Sequence, residues 1–182
     1  NITGMAIANT WDFAGIKTVR DCIDNNRGIA IAKLMWGYLK FAKTDKKQIT
    51  DINYWFNHQD QWQSPQDRKL RPDKFIDEIY MLAAEDFENN KTTEDAVRKL
   101  LIDWENKEPK NWGLWKKVLA YSYEGQNLTL GRLGNKWDKV WHEHEHFQMG
   151  KDMVDQGLKL EVFKATSEGT ILTDLEKYNL PN

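Results

Sequence analysis

The first part of the chain alternates between helical and extended hydrophobic patterns. Residues 2–11 are small and apolar with a helical rhythm, residues 16–23 alternate as a strand does, and residues 29–41 place apolar side chains on one stripe of a second helix. Turn-forming residues occupy positions 24–28 between the strand and that helix. Helix, strand, turn and helix in this order are typical of a parallel α/β sheet, whose ligands bind at the carboxyl ends of its strands. We therefore expect a site in the corner that follows Ile23.

The middle of the chain is predicted to be mainly helical. Residues 44–72 form a polar connector in which four aromatic side chains are expected to act as anchors, namely Tyr54, Trp55, Phe56 and Trp62. Helical spacing then predicts one helix over residues 73–89, a second that begins at Thr92 or Thr93 and ends before Pro109, and a third that begins at Trp112 and reaches Leu133. Three helices with short connections indicate an antiparallel helical subdomain.

The last part of the chain returns to extended patterns. We predict an extended segment over residues 137–146, a short helix over residues 147–156 that ends at Gly157, and a hairpin that pairs residues 162–166 with residues 170–173. Strands at both ends of the chain therefore enclose a helical middle, which indicates an insertion that grows out of an α/β sheet.

Composition narrows the class of protein only a little. The chain has 182 residues, 40% apolar and 30% charged, so it can bury one core or one core with a smaller appendage. The net charge of −2 gives no overall field for nucleic acid, and such a contact would need a local patch. Cys22 is the single cysteine, which excludes an intramolecular disulfide and favours a reducing cytosol. With no long apolar run and no signal-peptide pattern, we expect a cytoplasmic protein without a membrane partner.

Residues 141–146, with the sequence Trp-His-Glu-His-Glu-His, carry the most distinctive chemistry. On a strand, one face would present Trp141, Glu143 and Glu145, and the opposite face would present three imidazoles, those of His142, His144 and His146. An indole beside carboxylates suits a cation, especially a planar guanidinium. Three imidazoles suit zinc or nickel, and an alternating edge strand explains the pattern without any ligand. All three interpretations remain open at this point.

Several separated blocks of the chain resemble, in order and spacing, a bacterial branch of the arginyl-tRNA synthetases. The blocks begin with Arg-Asp-Cys-Ile-Asp-Asn-Asn-Arg-Gly and comprise Arg20 to Phe41, Trp62 to Pro65 with Pro72 and Asp73, Leu114 to Lys117, Trp137 to Glu143, Gly150 to Asp152, and Asp174 to Tyr178. This resemblance covers essentially the whole chain. It implies a class I aminoacyl-tRNA synthetase, which binds ATP and arginine, forms an arginyl adenylate and transfers arginine to tRNA. Magnesium is expected to accompany ATP in the full enzyme, and no tightly bound metal is expected.

The resemblance also implies a fold. It predicts an α/β protein that contains part of a Rossmann-type parallel sheet, a mainly helical insertion that lies near the tRNA acceptor end, and a C-terminal β-hairpin. Residues 1–45 would form a partial catalytic core, residues 46–134 the connector and the insertion, and residues 135–182 the return to the sheet.

Site residues follow from the resemblance position by position. Glu143 aligns with the family carboxylate that recognises the guanidinium of the substrate, which favours the cation interpretation of Trp141 and Glu143 as substrate-binding residues. Asn26 and Gly28 are expected as further substrate-binding residues, because they align with a polar turn beside the active site, where family members often carry Asp-Trp-Gly or Asp-Arg-Gly instead of the Asn-Arg-Gly found here. No catalytic residue is assigned, because the His-Ile-Gly-His signature would lie upstream of the chain and the Lys-Met-Ser-Lys-Ser loop is absent from it. We therefore expect an internal piece of the enzyme that shows no arginine-dependent pyrophosphate exchange by itself.

Two alternatives come from other classes of protein. The chain could be a non-catalytic tRNA-binding module or a decayed synthetase paralogue, in which four lysines form a phosphate-contacting face: Lys107, Lys110, Lys116 and Lys117. The same lysines also fit a solvated helix surface. A metal-dependent hydrolase built on the three histidines is the other alternative, although no general base with suitable spacing accompanies them.

Overall fold

A computed structural model describes residues 1–45, 47–173, 175, 176 and 179. Within them the helices are α1 (Ile2–Phe13), α2 (Ile29–Phe41), α3 (Ile52–Asn57), α4 (Pro72–Asn89), α5 (Lys91–Glu105), α6 (Pro109–Arg132) and α7 (Glu143–Lys159). The strands are β1 (Asp21–Asp24), β2 (Lys139–His142), β3 (Lys164–Ala165) and β4 (Ile171–Leu172). Three positions of the block Asp174 to Tyr178 lie outside the described residues, namely Asp174, Lys177 and Tyr178.

The strands form two small sheets. Strands β1 and β2 are parallel, with Asp21 opposite Lys139 and Asp24 opposite His142, and the connection between them runs through helices α2 to α6. Strands β3 and β4 form the antiparallel C-terminal hairpin, which is shorter than predicted. The protein is thus mostly helical, with a parallel pair of strands and a hairpin, and the larger Rossmann-type sheet stays a prediction, as does the division into three parts.

The hydrophobic core lies among helices α2, α4, α5 and α6. Helix α2 supplies the centre of this core, because the stripe predicted from its sequence is buried at Leu34, Met35 and Tyr38. The facing helices contribute their own fully buried side chains, among them Phe75, Ile79, Val97, Trp104, Leu114 and Val118. Burial of these apolar stripes is the main stabilising contribution to the helical layer.

Two glycines allow the helices of this layer to approach each other closely. A Cβ atom at Gly37 of α2 would lie 2.7 Å from the Cβ of Ala83 and 2.9 Å from the carbonyl oxygen of Ile79, both on α4. A Cβ atom at Gly125 of α6 would come within 3.0 Å of the backbone nitrogen and the side chain of Asp73, at the start of α4. Helix α4 therefore packs on α2 and α6 with no room for a methyl group at these points.

A partly buried carboxylate joins three helices of the layer. Asp86 Oδ2 on α4 accepts hydrogen bonds from Trp36 Nε1 at 2.9 Å, from Lys40 Nζ at 2.8 Å and from Thr93 Oγ1 at 3.0 Å. Burial acts to raise the pKa of Asp86, but the hydrogen bonds from Lys40, Trp36 and Thr93 outweigh it and hold this pKa below its usual value. The carboxylate therefore fastens α4 to α2 and α5 beside the apolar core.

Several helix boundaries differ from those predicted. Helix α5 is capped by Asn90, whose side chain accepts hydrogen bonds from the backbone nitrogens of Thr92 and Thr93, so the cap lies before the predicted threonines. Helix α6 begins at Pro109 and not at Trp112, because proline is tolerated in the first turn of a helix. The connector contains the short helix α3.

The predicted anchors of the connector are only partly confirmed by their burial. Trp55 and Trp62 are buried in the core and Tyr54 is half-buried against it, whereas Phe56 remains 41% exposed. The connector is therefore held to the helical layer mainly by its two tryptophans.

The largest correction concerns the predicted extended segment 137–146. Its strand ends at His142, and helix α7 runs from Glu143 to Lys159, so the predicted helix limits of 147–156 are also wrong. Glu143 and Glu145 lie in the first turn of α7, where carboxylates interact favourably with the helix dipole. Gly157 lies inside the helix against the ring of Phe163 and does not end it. The histidine and glutamate side chains are therefore not sorted onto two faces of a strand.

The predicted strand over residues 16–23 is confined to Asp21–Asp24. None of the described helices combines the length and the apolar character needed to cross a lipid bilayer.

Candidate substrate-binding site

The carboxyl ends of β1 and β2 meet at one edge of the parallel pair. Strand β1 ends at Asp24 and strand β2 ends opposite it at His142, so the corner that follows Ile23 lies against the start of α7. This arrangement brings two regions together that are 118 residues apart in the sequence, as the hydrogen bond between His142 and Asp24 shows. The predicted corner and the histidine- and glutamate-rich segment are therefore parts of one site.

Asp24 is the polar centre of this site. Its Oδ2 atom accepts hydrogen bonds from His142 Nδ1 at 2.7 Å, from Asn26 Nδ2 at 3.0 Å and from the hydroxyl of Tyr123 on α6. Burial and the hydrogen bond to the Asp24 carboxylate raise the pKa of Tyr123 to about 12. Asp24 thus connects the ends of both strands to the helical layer.

Asn26 is directed at protein groups and not at solvent, since it is only 2% exposed. Its Oδ1 atom accepts a hydrogen bond from the backbone nitrogen of His144 at 3.1 Å, and its Nδ2 atom lies 2.9 Å from Nδ1 of the same histidine. The backbone carbonyl of Asn26 accepts a hydrogen bond from Trp115 Nε1 at 2.7 Å. The side chain therefore ties the corner to α7, and the backbone ties it to α6.

Gly28 acts through its backbone. It precedes α2 with a φ of 105° and a ψ of −176°, a conformation that residues with a side chain rarely adopt. Its carbonyl oxygen accepts the hydrogen bond of Ala32 at 3.1 Å, which opens the helix. A Cβ at this position would meet no atom within 4 Å, so the requirement for glycine is conformational.

Glu143 lies beside a guanidinium that belongs to the chain itself. Arg27 Nη1 is 3.4 Å from Glu143 Oε1, its Nη2 forms an ion pair with Glu105 of α5, and its guanidinium carbon lies 4.7 Å from the ring centre of Phe147. Lys151 Nζ contacts the other oxygen of Glu105 at 2.7 Å. Burial acts to raise the pKa of Glu105, but the hydrogen bonds from Lys151 and Arg27 prevail and hold it below its usual value.

Trp141 and Glu143 line one pocket of about 470 Å³. The other residues of its wall are Asp21, Ile23, His142 and His146. Trp141 Nε1 donates to Asp21 Oδ2 at 3.3 Å, and the indole is 41% exposed. Lys139 Nζ lies 4.7 Å from the ring centre of Trp141, so this indole already accepts a cation. The pocket thus combines an aromatic face with two carboxylates.

Asp21 is a candidate site residue that sequence reasoning missed. The register of β1 and β2 places Asp21 opposite Lys139 and Ile23 opposite Trp141, which puts the acidic side chain on the same face as the indole. Strand alternation alone was a usable signal for the face of Asp21. The sequence gives no comparable signal for the pairing partner of β1, because that strand lies beyond five helices.

The opposite face of the strand pair opens into a larger cleft of about 850 Å³ against α6. Cys22, Asp24, Val140 and His142 line it from the strands, and Tyr123 lines it from the helix. His142 borders both this cleft and the smaller pocket, so it separates the two faces at the end of β2.

The predicted common face of the three histidines is wrong, because α7 begins between the first and the second. His142 contacts Asp24, His144 contacts Asn26, and His146 packs against Trp141 with ring centres 5.3 Å apart. Among the residues that the structure describes, no group of three or more histidine, cysteine or acidic side chains is arranged to hold a metal ion.

His144 packs among aromatic rings at the base of the site. Its ring centre lies 4.9 Å from that of Trp115 and 6.0 Å from that of Trp112, in edge-to-face arrangements. Burial lowers the pKa of His144, because it disfavours the charged ring. The unfolded chain therefore binds a proton at His144 more readily than the folded chain does. As the pH falls from the usual histidine pKa to the lowered pKa of His144, this residue reduces the free energy of unfolding.

The four predicted lysines lie at the end of α5 and along the first half of α6. Lys107 follows α5, and the amine of Lys110 lies 2.5 Å from Asn53 Oδ1. The amines of Lys116 and Lys117 lie 5.9 Å and 5.1 Å from the ring centres of Trp112 and Tyr121. None of the four forms an ion pair with a described residue. Their charges are therefore available to an external anion.

Comparison with known proteins identifies a class of relatives. No family model matches the chain. Curated relatives do match it, and all of those compared below are ligases that act on a tRNA.

These relatives are arginine–tRNA ligases. The enzyme of Treponema denticola is 29% identical over 179 residues, which cover 97% of this chain and 27% of the relative. The enzyme of Borreliella afzelii is 27% identical over 175 residues, with 96% and 27% covered, and that of Flavobacterium psychrophilum is 26% identical over 197 residues, with 99% and 30% covered. The chain therefore spans less than a third of the length of these relatives. The resemblance expected from the sequence blocks is confirmed.

Proposed function

We propose that this chain forms part of an arginine–tRNA ligase and carries part of its arginine pocket. The enzyme would activate arginine with ATP and transfer it to tRNA. The observation that carries the proposal is the pocket of about 470 Å³ in which Trp141, Asp21 and Glu143 meet. The similarity to arginine–tRNA ligases over 96–97% of the chain supports the same substrate.

The groups in this pocket suit a guanidinium. A guanidinium is planar, carries five N–H donors and is weakly hydrated, so it can lie against an aromatic face while its edge donates to carboxylates. Trp141 offers the face, and Asp21 and Glu143 offer oxygens on the same wall. A lysine ammonium would lack the fork of donors that addresses two carboxylates at once.

The contact between Arg27 and Glu143 is an example of this carboxylate beside a guanidinium, and Arg27 does not line the pocket. At 3.4 Å it is long for a charge-assisted hydrogen bond, and Arg27 also has the partner Glu105. Glu143 therefore has capacity for a second guanidinium on the pocket side. The α7 amides behind it favour a negative charge at this end of the helix.

A titration with two isosteric ligands tests the proposal. Citrulline has the shape of arginine but ends in a neutral urea, so it lacks the charge that Asp21 and Glu143 would recognise. We expect calorimetry to show arginine binding to the protein and at least about tenfold weaker binding of citrulline. Equal affinity for the two ligands, or no heat with arginine, would contradict an arginine pocket here.

The lysine that follows α5 and the three lysines on α6 support an interaction with the phosphates of tRNA. The outer side of α4 is lined by carboxylates, including Asp77, Glu78, Glu85 and Glu88, and would repel a phosphate backbone. Four amines present their charges from the α5–α6 connection and from α6 instead, namely those of Lys107, Lys110, Lys116 and Lys117. We therefore propose that the tRNA approaches from the side of α6.

Salt dependence measures this interaction. We expect the double variant Lys116→Gln with Lys117→Gln to bind tRNA more weakly and to reduce the slope of log K against log salt by about one for each phosphate that no longer meets a lysine. Lys74→Gln, on the acidic side of α4 where Lys74 pairs with Asp77 at 3.1 Å, is a control for the loss of a lysine outside this face and should leave the slope unchanged. The α6 face would be excluded if both variants kept the slope of the unmodified protein.

A further inference from the structure

The amide of Asn26 has only one possible orientation. Its Oδ1 atom faces the backbone nitrogen of His144 at 3.1 Å, and a backbone N–H can only donate. The oxygen of the amide must therefore lie on that side. The Nδ2 atom then points towards Asp24, Tyr123 and the ring of His144, and its two hydrogens are shared among these three acceptors.

This orientation determines where the proton of His144 lies. Nδ2 of Asn26 is 2.9 Å from Nδ1 of His144, so Nδ1 must accept the hydrogen bond through its lone pair. The ring is therefore neutral with its proton on Nε2. Burial among Trp112 and Trp115 favours the same neutral form, in agreement with the lowered pKa of His144.

One side chain thereby holds both the backbone and the ring of the second residue of α7. His144 follows Glu143 directly, so the hydrogen bonds to Asn26 set the direction in which the helix leaves β2 and in which the Glu143 side chain starts. Asn26 is itself held by Trp115 and by the end of β1, and it is almost completely buried. The clamp formed by Asn26 and His144 is therefore a rigid element next to the pocket.

We propose that Asn26 is a positioning residue for Glu143, which acts through His144 by fixing the first turn of α7 and the Nε2–H tautomer of the ring. The proposal rests on the proposed function to the extent that Glu143 is taken to bind the guanidinium. Asn26 itself touches no substrate, because its polar atoms are occupied by protein groups.

In this chain the neighbouring carboxylate of Asp24 favours an amide at position 26, although the family that the chain resembles often carries an aspartate there. The titratable groups that act on His144 are Asp24 of β1, His142 of β2, and Glu145 and His146 of α7, and Tyr123 of α6 contacts Asn26 beside it. An aspartate at position 26 would place a second carboxylate about 3 Å from Asp24, where two negative charges repel. A carboxylate can only accept a hydrogen bond, so it would favour a proton on Nδ1 of His144, and its negative charge would stabilise the charged ring.

Nuclear magnetic resonance measures the tautomer directly. We expect long-range proton–nitrogen spectra of the unmodified protein to show His144 with an unprotonated Nδ1 and a protonated Nε2 at neutral pH. In Asn26→Asp we expect the ring to become protonated at a higher pH than in the unmodified protein, and the affinity for arginine to fall about fivefold. Asn25→Asp is the matched control, since Asn25 is exposed and the variant adds the same charge one residue away.

The outcomes separate this inference from the proposed function. A proton on Nδ1 of His144 in the unmodified protein would overturn the clamp, and this measurement does not depend on the folding of any variant. The positioning role fails if Asn26→Asp and Asn25→Asp bind arginine equally well. If Glu143→Gln still weakens binding in that case, the proposed arginine pocket is unaffected. If the unmodified protein binds no arginine, both the proposed function and the positioning role of Asn26 fail.

Discussion

Replacing Gly125 by alanine is expected to lower the free energy of unfolding by about 3 kcal/mol. The added methyl group would come within 3.0 Å of the backbone nitrogen and the side chain of Asp73. A flexible side chain could move aside, but the backbone at the start of α4 cannot move without carrying the helix away from α2 and α6. The strain must therefore be relieved by separating packed helices.

Urea denaturation of matched variants measures this effect. Gly131 lies in the same helix, but a Cβ there would meet no atom within 4 Å. We expect Gly131→Ala to leave the unfolding free energy unchanged or to raise it by up to about 1 kcal/mol, because alanine favours the helix more than glycine does. Equal losses of stability in the two variants would show that close packing against Asp73 is not the cause.

The packing of Gly125 also bears on the candidate site. Tyr123 lies two residues before Gly125 on α6 and donates its hydroxyl hydrogen bond to Asp24. Arg71 reinforces the same helix contact, since its Nη2 atom donates to Asp73 Oδ2 at 2.9 Å and to Thr129 Oγ1 at 2.8 Å. The position of α6 on α4 therefore determines where Tyr123 meets the strand ends.

The sequence predicted best the elements whose signals are local. Helix α2 has the predicted limits Ile29–Phe41, because a complete apolar stripe lies between a turn and a polar segment. The parallel arrangement of β1 and β2 agrees with the predicted α/β order, since a long helical connection between two strands favours parallel pairing. The corner after Ile23 was predicted as the site from the same rule.

The sequence predicted poorly what depends on contacts between distant residues. The alternation of histidine and glutamate after Trp141 contains no apolar residue that would mark a buried face, so helix and strand fit it equally well. The start of α7 coincides with the hydrogen bond from the backbone of His144 to Asn26, which joins residues 118 positions apart. No local pattern reports that bond.

The same limitation applies to the partners of Glu143. A cation site is one interpretation that the residue types allow, but the internal contact of Glu143 with Arg27 depends on the meeting of the corner with α7. Asp21 joins the pocket only through the register of the parallel strands. The guanidinium ligand therefore stays a prediction from residue types, whereas the composition of the pocket required the tertiary structure.

Glu143→Gln is expected to weaken arginine binding by roughly 10- to 100-fold, the worth of a charge-assisted hydrogen bond. Glutamine keeps the shape of the side chain but removes the negative charge that a guanidinium recognises. The fold should persist, because Arg27 keeps its ion pair with Glu105. Glu145→Gln is the matched control, since Glu145 is exposed in the same first turn of α7 and its replacement removes the same charge.

Calorimetric titration of arginine into the unmodified protein, Glu143→Gln and Glu145→Gln tests the central claim most directly. The guanidinium pocket predicts that Glu145→Gln binds as tightly as the unmodified protein and that Glu143→Gln binds at least about tenfold more weakly. Equal binding by all three proteins would contradict the role of Glu143 and, with it, the arginine pocket beside Trp141.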